Sequence, residues 1–413
     1  MTRNPASETR RSAEQIREAS EHARKNRLPT SPLNAIIERT DIVRARRLVV
    51  KVGSSSLTLP GGGLNLEFID RLVDVLAARR ARGHQVVLVT SGAIAAGMGP
   101  LGMTSRPGDL ATAQAVASVG QGLLVQHYAT SFARHGQQVG QVLLTAEDLI
   151  RPQHYRNALR SLERLLELGV VPIVNENDAV ATHEIRFGDN DRLAALVANL
   201  VAAQVLVLLT DVDGLYTAPP REEGARLVPV VGSPEELSDY RVSGRGTAVG
   251  TGGMATKLDA AMIATHSGVP VLLTHAETVE EALRLGRSGT WFAVADHRRS
   301  NKRLWLAWVA NTNGQILLDA GAAHAVIDGK RSLLAAGVTG VKGGFEAGDP
   351  VDLVDATGVI LARGMAGYDA GEVARMAGKS SVQLRVEMGE TFARPVVHRD
   401  DLAPRHLTSG NGE

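Results

Sequence analysis

The sequence predicts a doubly wound α/β domain with a mainly parallel sheet, followed by a small, mostly-β domain. Between Arg47 and His275, short apolar runs rich in β-branched residues alternate with amphipathic helical patterns, which is typical of the first class. After Gly286 the pattern changes to short strands separated by glycine turns, which is typical of the second class. The length of 413 residues also favours two domains over one core.

Residues 1–46 precede any predicted strand and differ in composition from the rest of the chain. Lys and Arg outnumber Asp and Glu in this segment, and Pro, Ser, Asn and Thr are frequent. A nucleic-acid-binding arm or a targeting peptide is one interpretation, but the glutamates and the lack of an apolar stretch argue against a secretory signal. We predict a basic, disordered extension.

The strands of the first domain, which we place at residues 47–295, are predicted by continuous apolar runs, because strands of a parallel sheet are buried on both faces. The helices are predicted by apolar residues at i, i+3, i+4 and i+7, as from Ile69 to Leu76 after the potential N-cap Asn65, and from Leu193 to Leu200. The predicted strands are Leu48–Val52, Val86–Thr90, Val139–Leu144, Val170–Val174, Val205–Leu209 and Pro270–Thr274.

The second domain is predicted at residues 304–400, after a polar connector at 296–303 and before a tail at 401–413. Its strands are predicted at a spacing of about 8–12 residues, which is typical of small β domains. The predicted strands are Gln315–Asp319, Ala325–Ile327, Val338–Val341, Pro350–Val354, Val359–Gly364 and Val382–Val386.

The composition argues against several classes of protein. The absence of cysteine excludes disulfides, thiolate nucleophiles and cysteine-bound metal centres, and it agrees with the cytoplasmic location that we predict. The 12 histidines are scattered and predict no metal site. No apolar run reaches the ~18 residues that a membrane span needs. No Gly-x-x-x-x-Gly-Lys-Ser/Thr motif occurs, which argues against a P-loop enzyme.

Two lysines occupy positions that favour anion binding. Lys51 lies near the end of the first predicted strand and precedes a Gly-Ser turn, although a lysine at a strand end is more often simply solvated. Lys257 lies at the start of a predicted helix, where unpaired N–H groups and a partial positive charge attract phosphate. The segment that opens this helix consists of Thr251, Gly252, Gly253, Met254, Ala255, Thr256 and Lys257. Two lysines with nearby carboxylates predict a site that stabilises a phosphoryl group during transfer.

Polar side chains also follow other predicted strands. Asn175–Asp178 follows the fourth strand, and Gly188–Asp191 opens the next helix. Two acceptors beside two amides suit the ammonium and carboxylate groups of a small amino acid; the alternative is a turn in which Asn and Asp bond their own backbone. Ser91 follows the second strand in a turn that, by itself, is more simply a tight βα connection. Thr210–Asp211 either contacts a nucleoside or forms a turn.

These motifs, in this order and spacing, resemble those of the amino acid kinase family, and within it the enzymes that phosphorylate free glutamate. Residues 304–400 resemble a PUA domain, through Leu318–Ala322 and Val341–Phe345. The first resemblance is carried by Lys51–Ser55, Ser91–Gly97, Val174–Val180, Phe187–Leu193, Leu209–Thr217 and Thr251–Leu258. One departure is Ala218-Pro219-Pro220, where the family often has Ala-Asp-Pro.

The resemblance implies transfer of the γ-phosphoryl group of ATP to the side-chain carboxylate of L-glutamate, the first step of proline biosynthesis, with Mg²⁺ carried by ATP. It implies that Lys51 and Lys257 flank the phosphoryl group and that Asp191, with Asp189, orients them. It also implies ATP binding by Lys51, Thr210, Asp211 and residues 251–257. The implied glutamate-binding residues are Ser91, Asn175, Asp178, Asp189 and Asn190.

Three alternatives remain: N-acetylglutamate kinase or aspartokinase, an RNA-binding protein that acts through the PUA domain, and an inactive regulatory subunit. Lys and Arg equal Asp and Glu in number over residues 301–400, whereas RNA binding favours a basic patch. We therefore predict no nucleic-acid partner and no membrane partner. The resemblance also implies feedback inhibition by proline, a homo-oligomer, and transfer of the product to a glutamyl phosphate reductase.

Overall fold

The computed structural model describes residues 36, 38–59, 63–145, 147–149, 151–180, 190–233, 236, 253–294, 306, 312, 314–327 and 331–404. These residues divide into two compact units, 36–294 and 306–404. Most of the predicted N-terminal extension and the predicted 296–303 connector lie outside the described residues. In the described part of the chain, no helix is both long enough and apolar enough to cross a membrane.

The first unit contains an eight-stranded sheet in the order β3-β4-β2-β1-β5-β7-β8-β6. Six neighbouring strands of this sheet are parallel to one another: β3, β4, β2, β1, β5 and β7. Strand β8 pairs antiparallel with β7. All six strands predicted for this domain are present within two residues. The strands are β1 (Arg47–Val52), β2 (Gln85–Val89), β3 (Val139–Leu144), β4 (Val171–Glu176), β5 (Val205–Thr210), β6 (Val230–Val231), β7 (Val271–His275) and β8 (Thr290–Phe292).

Eight described α-helices accompany this sheet. The predicted cap of the second helix is confirmed, because the side chain of Asn65 accepts a hydrogen bond from Phe68 N at 3.1 Å. The helices are α1 (Ser54–Leu57), α2 (Leu66–Ala81), α3 (Ala93–Met98), α4 (Leu110–Ala133), α5 (Pro152–Glu167), α6 (Asn190–Leu200), α7 (Met254–His266) and α8 (Val279–Leu285). Three 3₁₀ turns lie at Arg39–Arg44, Glu147–Leu149 and Ala276–Thr278.

The central strand β1 separates two helical layers. Leu48, Val50 and Val52 belong to the main core, which also contains buried residues of α2, α4 and α8. Because side chains alternate along a strand, Val49 and Lys51 lie on the opposite face, where α6 packs. The chain leaves β1 toward β2 on one side and later returns to β5 on the other, so the carboxyl end of β1 is the switch point at which doubly wound sheets bind ligands.

Ordered structure begins before the predicted boundary at Arg47. The turn at Arg39–Arg44 buries Ile42, and the buried Arg79 of α2 donates to the carbonyl oxygens of Ile42 and Ala45. The guanidinium group of Arg79 thus fixes the segment just before β1 through hydrogen bonds to its carbonyl groups. The prediction that all of residues 1–46 form a disordered extension is wrong for 38–46.

Helices α3 and α4 approach closely because glycines lie at their crossing. A Cβ atom on Gly97 would lie 2.1 Å from the Val116 carbonyl oxygen, and one on Gly120 would lie 1.8 Å from that of Ala93. Gly92, at the N-cap of α3, has a φ of +94°, which favours glycine. The close contact with α3 therefore holds α4 near the turn that follows β2.

The second unit contains a five-stranded sheet in the order β10-β9-β11-β12-β13. Its core includes Ile316, Leu353, Val373 and Val397. The strands are β9 (Gly314–Leu318), β10 (Val338–Gly343), β11 (Pro350–Val354), β12 (Ile360–Met365) and β13 (Leu402–Pro404). The helices are α9 (Ala320–Ile327), α10 (Ala370–Met376) and α11 (Ser381–Glu387), with 3₁₀ turns at Ala335–Gly337, Glu390–Ala393 and Arg399–Asp401.

Two strands predicted for the second unit are wrong. Ala325–Ile327 lies in α9, which is rich in alanine and starts where Asp319 accepts from Ala322 N at 2.7 Å. Val382–Val386 lies in α11, which a capping box between Ser380 and Gln383 begins. The alternating valines of α11 are exposed, not buried. The predicted tail is also corrected, since residues 402–404 form β13.

The crossing of α3 and α4 gives a stability prediction. Gly120→Ala should lower the free energy of unfolding by about 1–3 kcal/mol, because the added methyl group overlaps a backbone oxygen. Gly122→Ala is the matched control, since a Cβ there meets nothing within 4 Å and should stabilise the helix by up to about 1 kcal/mol. Chemical denaturation followed by circular dichroism measures both, and equal stability of the two variants would contradict the close approach.

Candidate active site

One buried carboxylate holds two lysines from distant parts of the chain. Asp191 Oδ1 lies 2.5 Å from Lys51 Nζ, and Asp191 Oδ2 lies 3.2 Å from Lys257 Nζ. Asp191 is 0% exposed, Lys51 3% and Lys257 8%. We call these residues the charged trio. The structure thus brings together the three residues to which the sequence assigns catalysis.

The charged trio carries two positive charges and one negative charge. Charges taken out of water are costly unless they are paired, so an excess positive charge in a buried site favours an anionic ligand. Gly53 keeps space beside the first ammonium group, because a Cβ atom there would lie 3.5 Å from Lys51 Nζ. The trio is therefore suited to a negatively charged group that approaches the carboxyl end of β1.

A second ion pair fixes the spacing between α6 and α7. Arg192, next to Asp191 on α6, pairs with Asp259, which lies half a turn beyond Lys257 on α7. Arg192 and Asp259 are partly exposed, whereas the Asp191–Lys257 pair is buried. Two neighbouring bridges between the same helices restrict rotation of either helix, which keeps Lys257 directed at Asp191.

A chain of three buried side-chain amides, which we call the amide relay, lies beside the trio. Asn190 Nδ2 donates to Asn175 Oδ1 at 2.7 Å and to the Thr90 carbonyl oxygen at 2.6 Å. Asn175 Nδ2 donates to Gln121 Oε1 at 2.6 Å. Asn175 and Asn190 were predicted from the sequence, whereas Gln121 of α4 was not. Its one sequence signal is that an amide occurs among the apolar and small residues on the buried face of α4.

The remaining predicted residues lie at the same edge of the sheet. Ser91 lies two residues after the end of β2, and Asp178 lies in the turn after β4; both are partly buried. Thr210 ends β5, is 3% exposed, and donates to Asp211 Oδ1 at 3.0 Å, while Asp211 is exposed.

Helix α7 begins with Gly253 as its N-cap, so Met254, Ala255 and Thr256 form its first turn. Thr256 Oγ1 donates to the Gly253 carbonyl oxygen at 2.9 Å. The first N–H groups of this helix have no partners within the helix, which suits them to phosphate oxygens. The predictions for Asp189, Thr251 and Gly252 fall outside the described residues.

Comparisons with known proteins assign the chain to a family. The amino acid kinase family matches residues 46–275, and the PUA domain matches residues 314–388. The chain belongs to the amino acid kinase family and carries a C-terminal PUA domain, as the sequence motifs predicted.

The chain is similar to curated glutamate 5-kinases over most of its length. It is 57% identical to the glutamate 5-kinase of Thermobifida fusca (strain YX) over 88% of this chain and 94% of the relative. It is 53% identical to that of Streptomyces coelicolor over 89% of this chain and 99% of the relative. A solved isopentenyl phosphate kinase of T. acidophilum is 17% identical, covering 60% of this chain and 99% of that chain, with a TM-score of 0.42.

The charged trio gives a second stability prediction. Asp191→Asn should destabilise the protein by about 3–5 kcal/mol, because it leaves two buried ammonium groups without their shared carboxylate. Lys51→Met should cost less in the Asp191→Asn background than in the wild type, and this difference is measured by a double-mutant cycle with denaturant unfolding. Additive effects of the two substitutions would show that the trio is not one coupled unit.

Proposed function

We propose that this chain transfers the γ-phosphoryl group of ATP to the side-chain carboxylate of L-glutamate and thus forms L-glutamyl 5-phosphate, the first step of proline biosynthesis. The observation that carries this proposal is the charged trio at the switch point of an amino acid kinase fold. The similarity to glutamate 5-kinases over 88–89% of this chain supports glutamate as the acceptor.

The chemistry of this reaction fits the groups that the site contains. A carboxylate is already an adequate nucleophile, so the enzyme needs no general base. The barrier is then lowered by positioning the reactants and by neutralising the charge that develops on the transferring group. In this proposal, Lys51 and Lys257 flank the phosphoryl group, and Asp191 holds both ammonium groups in place before the substrates bind. Preorganised charges of this kind need no rearrangement during the reaction.

The two substrates enter from different sides of the trio. The nucleotide phosphates meet the first turn of α7, with Gly253–Thr256 beside them, and Thr210 and Asp211 meet the nucleoside. Glutamate binds through Ser91, Asp178 and the two asparagines of the amide relay. Pro219 has no carboxylate, so no carboxylate contact is proposed at that position.

We propose that Mg²⁺ arrives with ATP. The described residues contain no cluster of three or more His, Asp and Glu side chains that could hold a metal ion. Mg²⁺ in nucleotide sites keeps several water ligands and binds few protein groups, so such a cluster is not required. When bound, the ion neutralises phosphate charge; the lysines of this chain act on the same group from the protein side.

Four further proposals concern the setting of the enzyme. A homo-oligomer and a cytoplasmic location are proposed on the family resemblance and the lack of cysteine. Because an acyl phosphate hydrolyses readily, we also propose that the product passes to a glutamyl phosphate reductase. Proline is proposed as a feedback inhibitor, since its ammonium and carboxylate groups match the acceptors and donors that bind glutamate.

The acceptor is tested by ATP turnover with hydroxylamine, which traps an acyl phosphate as a hydroxamate. We expect L-glutamate to be the best acceptor in a panel with N-acetylglutamate and aspartate. Lys51→Met and Lys257→Met should each lower kcat by about 10²–10³, because each removes a preorganised charge. Lys379→Met is the matched control: its ion pair with Glu387 is exposed and contributes little. Phosphorylation of N-acetylglutamate but not glutamate would overturn the assignment.

Proline inhibition is predicted to be competitive with glutamate. Both molecules would use the same amide and carboxylate groups, so raising the glutamate concentration should restore activity in the presence of proline. Initial rates over a grid of proline and glutamate concentrations measure this. Inhibition that stays constant as glutamate rises would place proline at another site.

A further inference from the structure

The amide relay has a direction that two backbone groups fix. Asn175 Oδ1 accepts from the backbone N–H of Glu176 at 2.9 Å, and Asn190 Nδ2 donates to the Thr90 carbonyl oxygen at 2.6 Å. Turning over either asparagine amide would place two donors or two acceptors against each other. Asn175 Nδ2 must therefore be the donor toward Gln121, and Gln121 must accept this hydrogen bond through Oε1.

Because of this direction, the relay ends in a hydrogen-bond donor at Gln121 and in a hydrogen-bond acceptor at Asn190. At one end Gln121 Nε2 is enclosed and has no hydrogen-bond partner. At the other end, no described residue donates to Asn190 Oδ1. Burying an unpaired donor is unfavourable, and an apolar side chain of similar volume would avoid it. The group of Gln121 that the structure uses is therefore its oxygen, which anchors Asn175.

The anchored relay determines which group Asn190 offers to a ligand. Its Nδ2 is used twice, for Thr90 and for Asn175, so only the acceptor Oδ1 remains. The next residue along α6 is Asp191, which holds the two lysines. An acceptor adjacent to a cationic centre suits a molecule that carries an N–H donor at one end and a carboxylate at the other.

We propose that Gln121 is a positioning residue that acts through Asn175 and keeps Asn190 Oδ1 directed at the bound substrate, so that the site selects acids that carry an α-ammonium group. The inference rests on the proposed function, because it assumes that an amino acid binds beside the charged trio. An acid without the amine leaves Asn190 Oδ1 unpaired and is bound more weakly.

The test compares Gln121→Met with Tyr128→Phe in the full-length enzyme. Gln121→Met keeps the volume but removes the anchoring oxygen. Tyr128 lies two turns further along the same buried face of α4, and its hydroxyl is 2.9 Å from Thr90 Oγ1. Tyr128→Phe thus removes a buried hydrogen bond between α4 and the side chain of Thr90, while the Thr90 backbone carbonyl group that accepts from Asn190 is kept, and it controls for general loosening.

Each enzyme is assayed with matched acids that differ only in the α-amine: L-glutamate and glutarate, L-aspartate and succinate. We expect the wild type to prefer the amino acid of a pair. Gln121→Met should raise KM for that amino acid by about 10-fold, raise KM for ATP less, and lower the preference over the des-amino acid by about 10-fold. Tyr128→Phe should keep the wild-type preference.

The outcomes separate the two proposals. If the wild type phosphorylates aspartate in preference to succinate but does not phosphorylate glutamate, the proposed acceptor is refuted. The role of Gln121 is then tested by comparing the preference for aspartate over succinate between the wild type and Gln121→Met. A Gln121→Met enzyme with the wild-type preference, or with equal rises in both KM values, overturns the relay even if glutamate is the acceptor. Failure of every acid in the panel to react or to bind in calorimetry counts against both.

Discussion

The site depends on one buried carboxylate that is shared by two ammonium groups. Asp191 is inaccessible to solvent and contacts Lys51 of β1 and Lys257 of α7, which lie far apart in the sequence. The sheet order brings them together, because β1 lies between β2 and β5 and its carboxyl end faces the start of α6. Without Asp191, the two lysines would repel each other in a region of low dielectric constant.

The first turn of α6 joins the two halves of the proposed chemistry. Asp191 belongs to the charged trio, whereas its neighbour Asn190 belongs to the amide relay. In the proposed function, charged groups bind the phosphoryl group, which carries most of the developing charge, and neutral amides bind the amino acid, whose recognition depends on hydrogen-bond direction. Because adjacent residues of one helix serve both purposes, a shift of α6 would disturb amino acid binding and phosphoryl transfer together. The Arg192–Asp259 pair restrains such a shift.

The sequence predicted the first unit well because its strands are buried on both faces, so that hydrophobic runs alone mark them. The second unit was harder. The alternation of Val382, Leu384 and Val386 favours a strand, but the capping box at Ser380 and Gln383 begins a helix in which both valines are exposed. Local capping was the better signal there, and it was visible in the sequence.

The site itself was predicted only in part. Lys51, Asp191 and Lys257 stand in polar motifs at strand ends and helix starts, and the resemblance of these motifs to the amino acid kinase family implied their roles. Gln121 lies in the middle of a long helix without such a motif, and only the fold shows that α4 places it beside Asn175. Glutamine is a frequent residue, and its partner Asn175 is distant in the sequence. Such a contact leaves no local sequence pattern by which it could be predicted.

In the proposed reaction, Asp191 holds both lysines at the group being transferred. A crystal structure with ADP, aluminium fluoride as the phosphoryl mimic and L-glutamate tests this most directly. We expect Nζ of Lys51 and Nζ of Lys257 each to lie about 3 Å from the mimic, with the carboxylate of Asp191 still contacting both. A complex in which either ammonium group points away from the mimic, or in which Asp191 contacts neither lysine, would contradict it.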